Sequence, residues 1–394
     1  MFAIWKRLLS LLLVLAVLAP LTLHAAAFAE EEEEDELMLE EDIVLDDEEE
    51  VAFIIGDGKE VTEEDLEALE IDDSINPDDL EINPELPGNV VNILLIGVDS
   101  RETNLQSTTS LLHNDVTMIL SVNMDNGAIK LTSILRDLYT SIPGYKDKGR
   151  LNVAFARGAG KAGNISGGAS LTMRTINHLF KMNISQYAVI NFYGVAEIIE
   201  QLGGIDLMLT RGEAYAINYY LEKNGSKMKY DTKGNENREK LTLPKGNKDE
   251  EMELRHLDGM QALMYARLRT GMKERTGDFW RTNRQRYLLE TLLKKVLNGM
   301  DLNKLGNLIQ VAYPYVQTNI PAGTILQLAV SVISQGNLME KMNSGESMIE
   351  QLSIPMDKHY SYDQVDGASV ITMTSAQWAD AKDRIHYFIY GESD

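Results

Sequence analysis

Cysteine is absent from this 394-residue chain, so no disulfide braces it and its core must hold the fold. Histidine is scarce, and the six present (His24, His113, His178, His256, His359 and His386) never form H-E-x-x-H. That removes the zinc-hydrolase reading. His113, although close to Asp115, reads as a loop residue rather than a base. No segment is repeated, and no recognisable DNA-binding motif stands out. Apolar runs are also short. The longest near the N-terminus, Leu8–Leu23, is 16 residues and is broken by Ser10, Pro20 and Thr22. About 20 residues are needed to span a bilayer core.

Negative charge is plentiful but confined. The formal net charge is −24, yet residues 30–87 alone hold 28 acids against the single Lys59. The leader carries +2 from Lys6 and Arg7, which leaves the body near +1. Global acidity therefore says nothing of the body's partners, and the body carries no basic nucleic-acid footprint. Lys6 and Arg7 followed by the apolar run and Ala27-Phe28-Ala29 read as an export leader over 1–29. A retained membrane anchor is the rival reading, and both place the body outside the cytoplasm. Residues 30–88 read as an acidic, disordered linker with too little apolar surface to offset its ordering entropy. Thr62 and Asp65 could cap a short helix within it. Asn76-Pro77, Asn83-Pro84 and Pro87-Gly88 then mark an extended end near residue 88.

From Val90 the texture changes, and residues 89–394 read as the folded body. Val90–Val98 is a buried strand that delivers Asp99 and Arg101 at its end. Val116–Val122 is a strand entered from Asp115. Asn126-Gly127 marks a hairpin turn, and Ala128–Leu135 returns to deliver Arg136 and Asp137. This hairpin makes Asp115 and Arg136 neighbours. Helices are expected over Leu171–Phe180, over Val195–Leu202 with Gly203-Gly204 closing it, and from the Asp258 cap to Ala266. Tyr187–Phe192 and Ile205–Leu209 read as strands. Residues 223–253 read as a surface loop. Thr282–Leu297 is an amphipathic helix with Arg281, Arg284 and Gln285 on one face of its start. Leu302–Ile333 reads as helical with a break near Pro321, and Ala376–Tyr390 as a closing helix.

The charged residues at the ends of these runs carry the chemistry. Arginine forks bind phosphate oxygens in two-point geometry, and paired carboxylates hold a hard cation such as Mg²⁺. Asp99 and Asp115 are the candidate metal pair. Singly, each would pass for a turn cap or a partner of a nearby arginine. Arg101, Arg136, Arg267, Arg269 and Arg281 are the candidate phosphate clamp, and Asp278 and Asp137 are either ligands or carboxylates that orient arginines. Gly158-Ala159-Gly160-Lys161-Ala162-Gly163 matches G-x-G-x-x-G, but no acidic residue follows at the required distance. It reads as a flexible loop, not a dinucleotide site.

The ordered segments NILLIGVDSR, NDVTMILSVN, LTSILRDLY, LNVAFARG, LGGIDLML, LDGMQALMYARLR and GDFWRTNRQR resemble the LytR–CpsA–Psr family over roughly Val90 to Met300. The resemblance implies a single mixed α/β domain with a central sheet flanked by helices. It also implies an apolar pocket for a polyisoprenyl lipid and a charged mouth for its pyrophosphate and Mg²⁺. By motif, Asp99 and Asp115 correspond to the metal-linked acids, and Arg101, Arg136, Arg267, Arg269 and Arg281 to pyrophosphate ligands. Arg284 and Gln285 lie nearby, and Asp278 resembles a further site acid. The implied activity is an extracytoplasmic phosphotransferase. It would move an anionic glycopolymer, such as a teichoic acid, from a polyisoprenyl-pyrophosphate carrier at the cytoplasmic membrane surface to peptidoglycan. Asp99 or Asp115 is the candidate base for the acceptor hydroxyl. A protein that only binds or hydrolyses the carrier is the alternative. A transcriptional regulator is a third reading, opposed by the near-neutral body and the leader. The chain departs from the family pattern at Leu135, where a proline is usual. That loss of a rigid element bears on the aim of Arg136.

Overall fold

In the computed structural model, the described residues are 77–98, 114–160, 164–224, 239–245, 251–268, 277–299, 315–321, 349–365 and 368–391, with 324, 327–328, 331–332, 341 and 347. The leader, most of the acidic segment and the Thr62 cap lie outside them. Among the described residues no helix is long and apolar enough to cross a membrane.

The chain runs β1 (Val90–Val98), β2 (Asn114–Asn123), β3 (Ile129–Ile134), then the two-residue strands β4 (Tyr139–Thr140) and β5 (Gly149–Arg150). Next come α1 (Asn152–Ala159), α2 (Ile165–Phe180), β6 (Gln186–Asn191), α3 (Phe192–Gln201), β7 (Ile205–Thr210) and α4 (Arg211–Asn224). The remainder is β8 (Met252–Leu257), α5 (Gly259–Arg267), α6 (Gly277–Gly299), β9 (Val316–Thr318), β10 (Ile349–Ile354), β11 (Ser361–Val365), β12 (Ala368–Thr372) and α7 (Ser375–Tyr390).

Six strands form one mixed sheet in the order β10-β3-β2-β1-β6-β9. β1 is antiparallel to β2 and parallel to β6, and β10 is parallel to β3. Alternation along the strands separates two cores. Ile93, Leu95, Met118, Leu120 and Leu131 face α3 to α6, meeting Ile198, Ile217, Leu263, Leu288 and Leu292. Leu94, Ile96, Ile119, Ile134 and Val189 face α1, α2 and α7, meeting Phe155, Met173, Ile176 and Ile385. A strand buried on both faces reads as a continuous apolar run, which is why β1 is legible as such.

The β2–β3 register follows from its turn. The Asn123 side chain accepts from the N–H groups of Asp125 and Asn126, at 2.9 and 3.2 Å. Gly127 takes a φ of 65°, which side chains disfavour. Thr117 then pairs with Ile134. Helix starts are capped by side chains, at Asp258 as expected. Asp258 and Gln261 form a capping box on α5, and Thr374 and Gln377 form another on α7. Gly203 and Gly204 follow α3 with φ of 73° and 83°.

Several expectations are corrected. The linker does not stay extended to residue 88. From Pro77 it docks on α2, where Leu80 is wholly buried and its carbonyl accepts from the Asn177 side chain at 2.8 Å. Glu81 pairs with Arg174 and His178, at 2.9 and 2.7 Å. The described part of the glycine motif is not a loop. Gly158 lies in α1, and a Cβ there would stand 2.2 Å from the Gly167 carbonyl oxygen of α2. The glycine serves a close helix crossing. Within Leu302–Ile333, Val316–Thr318 is a strand on the free side of β6, because pairing overrides local helical pattern. Residues 223–253 are helical to Asn224 and extended from Met252, and α4, β10, β11 and β12 were not read from the sequence.

Two outcomes follow. Gly158→Ala should destabilise the domain by about 2–3 kcal/mol in urea unfolding, because the new methyl meets backbone rather than a yielding side chain. Glu81 is held below its ordinary 4.5: burial acts to raise it, but hydrogen bonds and charge from His178 and Arg174 outweigh this. Its contribution is therefore present above that value and is lost as pH falls through the lowered one. Glu81→Gln should cost less than about 1 kcal/mol at neutral pH, since the group is partly exposed. The gap to wild type should close on acidification, read from urea midpoints at a series of pH values.

Candidate functional site

Asp115 and Arg136 lie two residues beyond the Thr117–Ile134 pair, on adjacent strands at the same end of the sheet. The Arg136 guanidinium donates to the Asp115 carboxylate through Nη1. The neighbour relation expected from the hairpin is therefore realised. Arg136 also lies 3.5 Å from Asp137, whose other oxygen takes a hydrogen bond from Arg150 at 3.1 Å. Asp137 thus braces arginines, one of the two roles considered for it. Arg150 was not singled out in the sequence; its place just before LNVAFARG was the available signal.

The turn that carries Arg136 is strapped from three directions. The Asn152 N–H, at the start of α1, donates to the Arg136 carbonyl at 3.1 Å, and the Ile371 N–H donates to the Asp137 carbonyl at 2.9 Å. The Leu135 N–H donates to the Ile354 carbonyl of β10 at 2.9 Å. A proline at 135 has no such N–H. The departure from the family pattern thus exchanges ring rigidity for a hydrogen bond, and Arg136 still reaches Asp115.

A small cleft opens here, walled by residues 115–118 of β2, residues 134–136 at and just past the end of β3, and Arg281, Thr282 and Gln285 of α6. Arg281 and Gln285 are nearly buried, one helical turn apart. Arg267, the last residue of α5, is half-buried. Burial acts to raise the Asp115 carboxyl, but the charges of Arg136, Arg281 and Arg267, with the Arg136 hydrogen bond, hold it below the usual carboxylate range. Four segments distant in sequence thus bring the charge of three guanidinium groups to bear on one carboxylate. Behind the cleft, Met118, Leu288, Leu289 and Leu292 are fully buried and fill the space between sheet and α6.

The structure does not bring every candidate together. Asp99, Arg101, Arg269 and His113 lie outside the described residues, as does the side chain of Asp278, whose backbone is in the first turn of α6. Val98, the last described residue of β1, pairs with Asn114 beside Asp115. Arg284 shares the start of α6 but is engaged inward, donating through Nε to Glu213 and through Nη1 to the Leu268 carbonyl, at 2.8 and 2.9 Å. Glu213 escaped the sequence reading because it lies in a helix whose pattern was not recognised.

Among the described residues no group of three or more His, Cys, Asp or Glu could hold a metal ion. Asp115 is a hard oxygen donor at the base of a cationic cleft. A Mg²⁺ ion there would take one or two carboxylates and otherwise lean on substrate oxygens and water, which is the usual habit of that ion. Among the residues that wall the cleft, Asp115 is the carboxylate such an ion could use.

The architecture is a mixed α/β domain with an arginine-lined cleft at one strand end of its central sheet. The chain belongs to the LytR–CpsA–Psr family, whose model (LytR_cpsA_psr) matches residues 54–386. It is similar to the regulatory protein MsrR of Staphylococcus aureus (strain COL), 28% identical over 270 residues. That match spans 68% of this chain and 66% of MsrR, a little under two thirds of the relative's length. It is also similar to the polyisoprenyl-teichoic acid–peptidoglycan teichoic acid transferase TagU of Bacillus mycoides (strain KBAB4), 26% identical over 70% of this chain and 72% of TagU. Among solved structures, protein gbs0355 of Streptococcus agalactiae shares the fold at a TM-score of 0.54, with 21% identity over 78% of this chain and 90% of that one. TagT bound to LI-WTA matches at 0.52, with 17% identity over 79% and 95%.

Leu135→Pro should delete the bond to Ile354 and strand a buried carbonyl. The expected cost is about 1–3 kcal/mol, read as a lower urea midpoint with an unchanged slope.

Proposed function

We propose that this protein is an extracytoplasmic phosphotransferase that moves an anionic glycopolymer from a polyisoprenyl-pyrophosphate carrier to peptidoglycan. The observation that carries the reading is the placement of Arg136 and Arg281 beside Asp115 in the cleft, with the charge of Arg267 acting on the same carboxylate. A diphosphate presents more charge and more acceptor oxygens than one carboxylate, so it competes well for the same arginines. Family membership and the printed activity of TagU support the polymer, the carrier and the wall as substrates.

In the reaction, a muramic acid hydroxyl oxygen attacks the phosphorus that bears the polymer. A phosphodiester forms, the bond to the bridging oxygen breaks, and the polyisoprenyl monophosphate leaves. The hydroxyl's proton passes to an aspartate, Asp99 or Asp115. Phosphoryl transfer rests mainly on positioning and charge stabilisation, so a weak base such as the depressed Asp115 carboxyl suffices. The arginines orient the diphosphate and offset charge on the leaving phosphate. Asp115, with Asp99, would hold Mg²⁺, which when bound adds further neutralising charge. The carrier is a membrane lipid, so the protein works at the outer surface of the cytoplasmic membrane, whether its leader is cleaved or retained. The body's charge near +1 gives no support to a nucleic-acid partner.

Arg281→Ala and Arg136→Ala should each lower transfer from a lipid-pyrophosphate-linked glycan to peptidoglycan by about 10²-fold or more. Undiminished transfer in both variants would sink the clamp. Phosphate release without any acceptor would instead favour a carrier hydrolase.

A further inference from the structure

Arg284 and Glu213 form an ion pair between α6 and the first turn of α4, and both are about 4% exposed. The second Glu213 oxygen accepts from the Thr210 N–H at 3.1 Å and from its hydroxyl at 3.3 Å, so the carboxylate is fixed at the β7–α4 junction. The other arm of Arg284 donates to the Leu268 carbonyl at 2.9 Å, just past the end of α5. The next residue, Gln285, donates to the Ala266 carbonyl at 3.3 Å. These two carbonyls bracket Arg267. The helix that carries Arg281 therefore grips the chain on both sides of Arg267.

A buried ion pair is a poor source of stability, because desolvation offsets most of its attraction and well-packed apolar residues often do as well. A planar guanidinium that makes two bonds at once does something apolar contacts cannot: it fixes direction as well as distance. From this geometry we infer that Glu213 and Arg284 are positioning residues, a strut that sets the placement of Arg267 relative to Arg281 for a diphosphate ligand. The inference rests on the diphosphate reading of the cleft. It gives Arg284 a role through Arg267 rather than at the ligand, and brings Glu213 into the machinery.

The test replaces the pair with apolar residues, Glu213→Leu together with Arg284→Met, and measures melting temperature and the affinity of the full chain for farnesyl diphosphate by calorimetry. Melting should fall but leave a folded protein at the assay temperature, because the Leu268 carbonyl and the Thr210 N–H lose their partners, while affinity falls about 10-fold to 100-fold. In an Arg267→Ala background the same pair of changes should cost less than about twofold more, because the residue it positions is gone. Unchanged affinity, or a full loss repeated in that background, would overturn the inference. Should the double variant not fold, Arg284→Lys is measured in the same way, since an ammonium keeps the charge but not the two-armed geometry. Failure of both to fold would also overturn it, in favour of a purely structural pair. Arg281→Ala serves as the reference. If it too binds like wild type, the diphosphate reading falls and this inference with it. If it loses binding while the strut variant does not, only the strut falls.

Discussion

Guanidinium groups gathered in a partly desolvated cleft repel one another, and some negative charge must hold them there. In this protein Asp115 does so. It sits at the start of β2, Arg136 comes from the end of β3, Arg267 from the end of α5, and Arg281 from the first turns of α6. The hairpin register, the α5 cap and the placement of α6 against the sheet all serve that meeting. The same arrangement explains why Asp115 ionises readily although it is largely buried.

Much of this was legible in the sequence, for local reasons. Asn126-Gly127 sets the β2–β3 register, and the register alone makes Asp115 and Arg136 neighbours. Asp258 with Gln261, and Gly203 with Gly204, mark helix ends through backbone needs that few residues meet. What escaped depends on distant partners. Gly158 resembles a loop glycine until α2 is laid across it. Glu213 has no motif, and its meaning comes from an arginine seventy-one positions later. Leu80 looks like a stray apolar residue in an acidic tail, yet it completes the core beside α2. Val316–Thr318 becomes a strand only because β6 offers it an edge.

The family pattern and the structure also inform each other at position 135. Where relatives of this kind usually carry a proline, this chain spends a backbone N–H on β10. A ring and a hydrogen bond are different ways to limit the same turn. Fold alone does not dictate an activity; the cleft and family membership together support phosphoryl transfer.

The strapping of the Arg136 turn has a consequence for assembly. Two of its three ties come from Ile354 and Ile371, more than two hundred residues downstream. Contacts so remote in sequence carry a large loop-closure entropy and tend to form late. The hairpin itself can form early, but the arginine it carries is not secured until the last strands have arrived. A partly synthesised chain would therefore hold a sheet without a finished cleft. Such an order leaves the arginine of an incomplete molecule unsecured until the last strands close the domain.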